Sequence, residues 1–338
     1  MKTLPSVLFT LTFAVSSLLV QVLTPVPALP SFPVPSTSTQ ACGPIIDVVV
    51  GSSGLLLNTC DVGGVASARF NGSFRGGYVD AVIRNTGGDV VVLMNDGRII
   101  KSLNGVVREW EVAQASAIIS ATGDTVTTVR QNAFSQTEYR LYEDGGVYSR
   151  KIMGDGVFPF TCTQTFEVKG DKYCLDRNNA RIYRASAGFL SSARPANATP
   201  YLELEGLVFA RPYKEGFLLL VRPLSVCPDE ATKVPDSAVF CYFAGQCKEA
   251  TPSQLLYVSG AKPNVQVLVT GLKVVFSSTF TVAGDNVYVV ETDWDKNEEF
   301  QGDYVTKLNL LTGKKNSFLS REELSRQYGV ESPSIWIN

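Results

Sequence analysis

The chain has 338 residues, with 30 basic and 32 acidic side chains, a formal net charge of −2 and a hydrophobic fraction of 45%. That balance supplies ample apolar material for a core and gives no electrostatic reason for a nucleic-acid or anionic-membrane partner. Histidine is absent, which excludes a Ser-His-Asp or Cys-His nucleophile and any His-ligated metal site.

The N-terminus reads as an address. Met1-Lys2 supplies a positive charge, Val7–Leu23 is apolar, and Val26-Pro27-Ala28 places small residues in a cleavage pattern. The expectation is a signal peptide over 1–28, with an uncleaved anchor as the alternative, because the apolar run approaches spanning length. Residues 29–41 form a Pro/Ser/Thr-rich leader that cannot bury a core. No later segment has membrane length. A secreted, extracellular protein is therefore expected. Seven cysteines fit that compartment, none in a CxxC pair. Local pairing predicts disulfides Cys42–Cys60, Cys162–Cys174 and Cys227–Cys247, with Cys241 a free thiol packed in an apolar strand. Asn71-Gly-Ser and Asn197-Ala-Thr are glycosylation sequons in turn-rich segments.

From Cys42 onward a Gly-Asp turn followed by a β-branched run recurs. Gly88-Asp89 leads into Val90–Leu93, an Asn95-Asp96-Gly97 turn and a return strand Arg98–Leu103. Gly123-Asp124 opens the next copy, whose hairpin turn is Glu143–Gly146. Gly170-Asp171 leads to a turn at Asp176–Asn179 and a return strand Ala180–Arg184. Glu215-Gly216 leads into an apolar run for which Ala238–Phe243 is the predicted partner. Gly284-Asp285 opens the clearest copy: strands at Val287–Glu291, Tyr304–Leu310 and Ser317–Leu319, the last two joined by Leu311–Lys314. Steps between the second residues of these dipeptides are 35, 47, 45 and 69; the long step carries an insertion at about 223–255. A degenerate copy lies at Ile45–Leu57. Each copy is preceded by a short run suited to an inner strand.

A period near 40–50 residues of strand and turn is the signature of a β-propeller, whose blades bury each other's faces. At ~45 residues per blade, 42–338 makes about six four-stranded blades. Two β-sandwich domains are the alternative architecture. Ring closure predicts that Ser334–Asn338 pairs with Ile45–Val50. Ser320-x-x-Glu323 is a capping box opening a short helix over Ser320–Tyr328.

Chemistry-bearing residues are sparse. Asp293, Asp295, Asn297 and Glu299 alternate as in a calcium loop, the one cofactor candidate, but Glu298 replaces the sharp-turn glycine; a solvated acidic loop is the simpler reading. Asp47, Asp61, Asp80 and Asp89 have no paired spacing, though a propeller axis can gather distant acids. Tyr139, Tyr142, Tyr148, Tyr183 and Tyr213, with Arg140, Arg150, Arg181, Arg184 and Arg211, are residue types suited to a binding face.

The run Gly284-Asp285-Asn286-Val287-Tyr288 through Leu308-Asn309-Leu310-Leu311-Thr312-Gly313-Lys314 resembles blades of extracellular and quinoprotein-type propellers. The resemblance implies a fold and carries over no cofactor residue. The expected function is a secreted, non-catalytic propeller that binds an extracellular protein or glycan through loops on one face. The alternative is a carbohydrate-active hydrolase or lyase with acids at the axis.

Overall fold

The computed structural model describes residues 43–63, 65–85, 87–103, 106–113, 117–129, 136–152, 163–185, 199–226, 248–275, 277–294 and 299–338. The signal and leader expectations for 1–41 lie outside this set, as do Cys42, Cys162, Cys227, Cys241, Cys247 and Asn197. Among the described residues stand six four-stranded antiparallel sheets and one two-stranded ribbon. Blade 2 is β4 (Val79–Arg84), β5 (Val90–Met94), β6 (Arg98–Leu103) and β7 (Val106–Glu111). Blade 3 is β8 (Ala117–Thr122), β9 (Thr125–Val129), β10 (Gln136–Leu141) and β11 (Val147–Ile152). Blade 4 is β12 (Gln164–Val168), β13 (Asp171–Asp176), β14 (Arg181–Ala185) and β15 (Leu202–Glu203). Blade 6 is β22 (Phe280–Ala283), β23 (Asn286–Trp294), β24 (Phe300–Asn309) and β25 (Lys315–Leu319). Each Gly-Asp turn joins a blade's inner strand to its second strand, so these turns share one face of the ring.

Blade 5 corrects one expectation. Its strands are β16 (Leu207–Tyr213), β17 (Gly216–Val221), β20 (Gln254–Ser259) and β21 (Asn264–Thr270). The partner of β17 is β20, in the register Leu219↔Leu256, and not Ala238–Phe243. Every residue of β17 is buried, so its neighbour must bury Leu255, Leu256 and Val258 beside it. The insertion departs as β18 (Leu224–Val226), pairs with β19 (Lys248–Thr251), and returns the chain to β20.

Blade 1 closes the ring with strands from both ends of the domain: β26 (Ile335–Ile337) innermost, then β1 (Ile45–Val50), β2 (Leu55–Val62) and β3 (Val65–Ser73). The predicted pairing holds, with Val48 opposite Ile337 and Val50 opposite Ile335. Inner strands β12, β16, β22, β26, β4 and β8 touch in that order around the axis. The other edge of β26 is satisfied by side chains: Ile335 N donates to Asp303 Oδ2 at 2.8 Å and Ile337 N to Thr279 Oγ1 at 3.2 Å. Leaving either buried donor unpaired would cost roughly 1–3 kcal/mol. Gly302, at φ +118°, lets this edge approach, because a Cβ there would stand 2.6 Å from Pro333 Cδ. Helix α1 (Arg321–Tyr328) bears the predicted capping box and ends on Gly329 in the left-handed region. It buries Leu324 against the blade 6–blade 1 core. Among the described residues no helix is long and apolar enough to cross a membrane.

Apolar cores fill five of the seams between blades. They lie between blades 1 and 2, 2 and 3, 4 and 5, 5 and 6, and 6 and 1. The turn aspartates add pins on the shared face. Lys101 of blade 2, buried, donates to Gly123 O at 2.6 Å and Asp124 Oδ1 at 3.1 Å of blade 3. Tyr213 of blade 5 donates to Asp285 Oδ1 of blade 6 at 3.0 Å. At Asp124 and Asp285 the dipeptide thus supplies both a turn and an inter-blade acceptor, whereas Asp89 bonds Asn85 and Lys101 of its own blade.

Candidate functional site

The corresponding aspartate of blade 4, Asp171, pairs within its own blade. Arg184 Nε donates to Asp171 Oδ2 at 3.0 Å, and its Nη2 bonds the same oxygen. This turns both groups toward a cleft between blades 4 and 5 on the Gly-Asp face. The cleft has a volume of about 330 Å³ and is lined chiefly by Tyr173, Arg184, Tyr201, Phe217, Tyr257 and Gly260.

Its floor is aromatic because consecutive turns place aromatic residues side by side. Phe166 stacks on Tyr173 at 5.2 Å and 7°, and Tyr173 meets Phe217 at 5.3 Å and Tyr201 edge-on at 5.5 Å. Such contacts each contribute about 0.5–1.5 kcal/mol beyond area burial. The Arg184 guanidinium lies 6.0 Å from the Tyr173 ring centroid and 5.9 Å from that of Tyr201. Tyr201 Oη donates to Gly260 O at 2.8 Å, tying the loop before β15 to the β20–β21 turn. Burial raises the pKa of both tyrosines, so they stay neutral donors. At the rim Lys169 pairs with Glu215 across the seam. Lys169 and Lys214 both hold left-handed backbone, at φ 52° and 51°, a conformation costing about 1–2 kcal/mol in a non-glycine residue. Gly216 is obligatory for a different reason: a Cβ there would sit 2.1 Å from Val258 O. The site therefore offers the partly exposed rings of Tyr201 and Tyr257 above a buried Tyr173–Phe217 floor, two internally neutralised ion pairs and fixed hydrogen-bonding groups.

The sequence candidates fall mostly elsewhere. Of the tyrosines and arginines nominated for a face, only Arg184 lies in the cleft. Tyr139 and Tyr183 are buried in blades 3 and 4. Tyr142 and Tyr148 are exposed on blade 3. Arg150 pairs with Glu138 at 2.9 Å and Arg181 with Glu203 at 3.1 Å; Arg140 lies over the Tyr142 ring. Tyr213 pins blade 6, and Arg211 donates to Phe280 O at 3.3 Å and to Asn338 Oδ1 at 2.7 Å.

The acids do not gather. Asp47 is buried and accepts from Arg84 Nε at 3.0 Å. Asp61 accepts from Tyr288 Oη at 2.7 Å and from Lys307. Asp89 accepts from Asn85 Nδ2 at 3.0 Å. Burial raises Asp80 to about 6, with Arg177 opposing the shift. Asp303, not nominated from the sequence, is also raised to about 6 by burial, against its bonds from Ile335 N and Thr292 Oγ1.

In the proposed calcium loop, Asp293 is engaged by cations: Lys273 Nζ at 2.6 Å on Oδ1 and Arg321 Nη2 at 3.2 Å on Oδ2. Each oxygen of Asp293 thus has a cationic partner. Asp295 and Asn297 lie outside the described residues, among which no cluster of metal-ligating side chains occurs; Glu299 is described and exposed. Asn71 sits in strand β3 and not in a turn, its Nδ2 donating to Asn58 Oδ1 at 3.3 Å. Cys60 and Cys174 are disulfide-bonded.

No family profile matches the sequence, and no curated protein resembles it. Solved structures align with this chain at low identity. A puromycin hydrolase mutant complexed with PGG aligns with a TM-score of 0.40 and 14% identity over 83% of this chain, which spans 44% of that protein's length. A protein from Lactobacillus plantarum aligns at 0.41 and 10% identity, covering 81% of this chain and 95% of its own. Apo AztD from Citrobacter koseri aligns at 0.41 and 9% identity, over 87% and 97% of the two chains. No residue role is carried over from them.

The aromatic cleft is absent from the sequence reading because Tyr173, Tyr201 and Phe217 sit in strands or at strand ends, where aromatics usually pack. A usable signal existed: Gly170-Asp171 and Glu215-Gly216 open consecutive repeats, so residues just after them meet across one seam.

Proposed function

We propose that this chain is a secreted, non-catalytic propeller whose blade 4–blade 5 cleft binds a neutral glycan. One observation carries the reading: a cavity of about 330 Å³ with an aromatic floor, in which Asp171–Arg184 and Lys169–Glu215 are already paired. The volume lies at the small end of ligand pockets, ~300–1,000 Å³, which suits a sugar ring better than a protein surface. Aromatic faces stack on apolar sugar faces, and the fixed carboxylate, guanidinium and phenol meet hydroxyls. The paired charges disfavour a strongly charged ligand.

Secretion is supported by the N-terminal address, by the sequon at Asn71, which lies on an outermost strand, and by the half-cystines. Gly43 N donates to Asp61 O and Thr163 N to Leu175 O. In the strand ladders Cys60 stands opposite Ile45 and Cys174 opposite Thr165, three residues along the chain from Cys42 and Cys162, the partners proposed for them. Against the hydrolase or lyase alternative, Asp47 and Asp303 are engaged by Arg84 and Ile335; Asp80, on inner strand β4 and raised to about 6 by burial, is the acid that speaks for it. Screening the protein on a glycan array, beside Tyr201→Ala, tests the proposal. Binding of neutral saccharides that falls at least about tenfold in the variant is expected; binding unaffected by Tyr201→Ala would assign it to another surface.

A further inference from the structure

The outer edge of blade 5 differs from those of the other blades. An outermost strand offers a row of backbone N–H and C=O groups to any further strand, and charges or shortness on that strand normally block the offer. β3 carries Arg69, β7 carries Arg108 and Glu109, β11 carries Arg150 and Lys151, and β25 carries Lys315. β15 has only two residues. β21, with the sequence NVQVLVT, has seven residues and no charge, and the uncharged run extends from Pro263 to Leu272. Among the described strands none pairs with its outer edge. Every residue from Gly260 to Val267 is exposed. Val265 and Val267, two apart and so on one face of the strand, are 42% and 50% exposed. On its inner side β21 runs in regular register with β20 from Asn264 to Val267, and the irregularity comes only after that stretch.

We propose that β21 is a self-pairing edge, through which two copies of this chain join blade 5 to blade 5 as antiparallel strands. A two-fold axis through Gln266 completes the contact. Val265 of each copy then stands opposite Val267 of the other, so the exposed valines cover one another, and Gln266 faces Gln266. Lys262 falls opposite Thr270, and Lys273 is already held by Asp293, so no like charges meet. A net charge of −2 adds little long-range repulsion between copies. A second copy is favoured over a foreign strand because the valine spacing matches itself and no charge on the edge selects a partner of opposite sign. Antiparallel pairing places the β20–β21 turn of each copy, which brings Gly260 to the cleft, at opposite ends of the joined edge. On the glycan reading the dimer therefore bridges two glycan-bearing surfaces; the pairing itself does not depend on that reading.

Sedimentation equilibrium of the full chain across micromolar concentrations tests the pairing, and a reversible monomer–dimer equilibrium is expected. Val267→Lys enters the two-fold contact twice and should weaken dimerisation at least about tenfold, with the circular dichroism spectrum unchanged. Gln266→Cys should form an intermolecular disulfide on oxidation, above the level of the unsubstituted chain, because directly opposed strand residues stand about 4.5–5.5 Å apart at Cα. Thr270→Cys, opposite Lys262, should not. A chain that stays monomeric overturns the proposal, as does a dimer that Val267→Lys leaves intact or cross-linking at Thr270→Cys in place of Gln266→Cys. In a monomer, hydrogen exchange at β21 names the other occupant: slow exchange means another part of this chain, and fast exchange leaves the edge to a different protein. If Val267→Lys does not fold, absence of the Gln266→Cys cross-link overturns the proposal equally.

Discussion

The seam between blades 4 and 5 and the seam between blades 3 and 4 are built on opposite plans. Blade 5 presents β17, buried at every position, to a blade 4 face carrying Val168, Tyr173, Leu175 and Ile182. An amide clamp reinforces it, Gln164 Nε2 donating to Ala210 O at 2.7 Å and Oε1 accepting from Ala210 N at 2.9 Å. Between blades 3 and 4 the described residues form no apolar core cluster. Blade 3 is rich in Thr, Gln and Arg, and Tyr148 through Lys151 of its outer strand are exposed. Asp171, whose counterparts Asp124 and Asp285 accept from the preceding blade, turns to Arg184 instead. The difference teaches that the cleft forms where the turn aspartate bonds within its own blade on one side, as Asp89 also does, and a rigid aromatic wall stands on the other. It also shows that ring closure is not the sparse point: β26 is hydrogen-bonded on both edges and packed into a core.

The comparison breaks most visibly at Phe217. Phe217→Ala should lower unfolding free energy by about 3–5 kcal/mol and remove a wall of the cleft, as chemical denaturation would show. A loss below about 1 kcal/mol would mean that the blade 4–blade 5 seam is not the rigid one.

Next in size is the closing strand's pH dependence. Asp303 has a folded pKa raised from 3.8 to about 6, so the folded state binds the extra proton. The associated stability is fully present below about pH 4 and is lost as pH rises through about 6, on the order of 2–3 kcal/mol. Asp80 shifts in the same direction. Unfolding measured from pH 4.5 to 7.5 should show this decline superposed on other titrations, and Asp303→Asn, which keeps an acceptor for Ile335 N, should flatten it. An equally steep curve in that variant would remove Asp303 from the account.

Lys101→Ala should cost about 1.5–3 kcal/mol by removing charge-assisted bonds between blades 2 and 3, read by thermal unfolding. Tyr148→Ala, on the exposed strand of blade 3, should change stability by no more than about 0.5 kcal/mol. Equal effects from these two substitutions would erase the distinction between pinned and unpinned seams.

Much of the fold was legible in the chain. The Gly-Asp turns, the β-branched runs, the Ser320–Glu323 box and the pairing of Ser334–Asn338 with Ile45–Val50 are local signals, and local signals suffice where each repeat restates the same plan. Blade 5 misled because its return strand lies beyond an insertion: Ala238–Phe243 is apolar and nearer in sequence than Gln254–Ser259. The binding candidates were mostly illegible. Whether Tyr183 is buried or Tyr201 faces a cleft depends on the neighbouring blade, and residue type alone carries no such information. Asp293 illustrates the same limit, since Lys273 and Arg321 reach it from distant parts of the chain.

Hydrogen exchange followed by mass spectrometry, with and without a neutral oligosaccharide taken from the glycan screen, tests the central claim most directly. The cleft reading predicts slowed exchange at the Val168–Tyr173, Glu215–Phe217 and Tyr257–Gly260 turns, with blade 3 strand Val147–Ile152 unchanged. Ligand binding that protects blade 3, or any other surface, while leaving those three turns unaltered would contradict it.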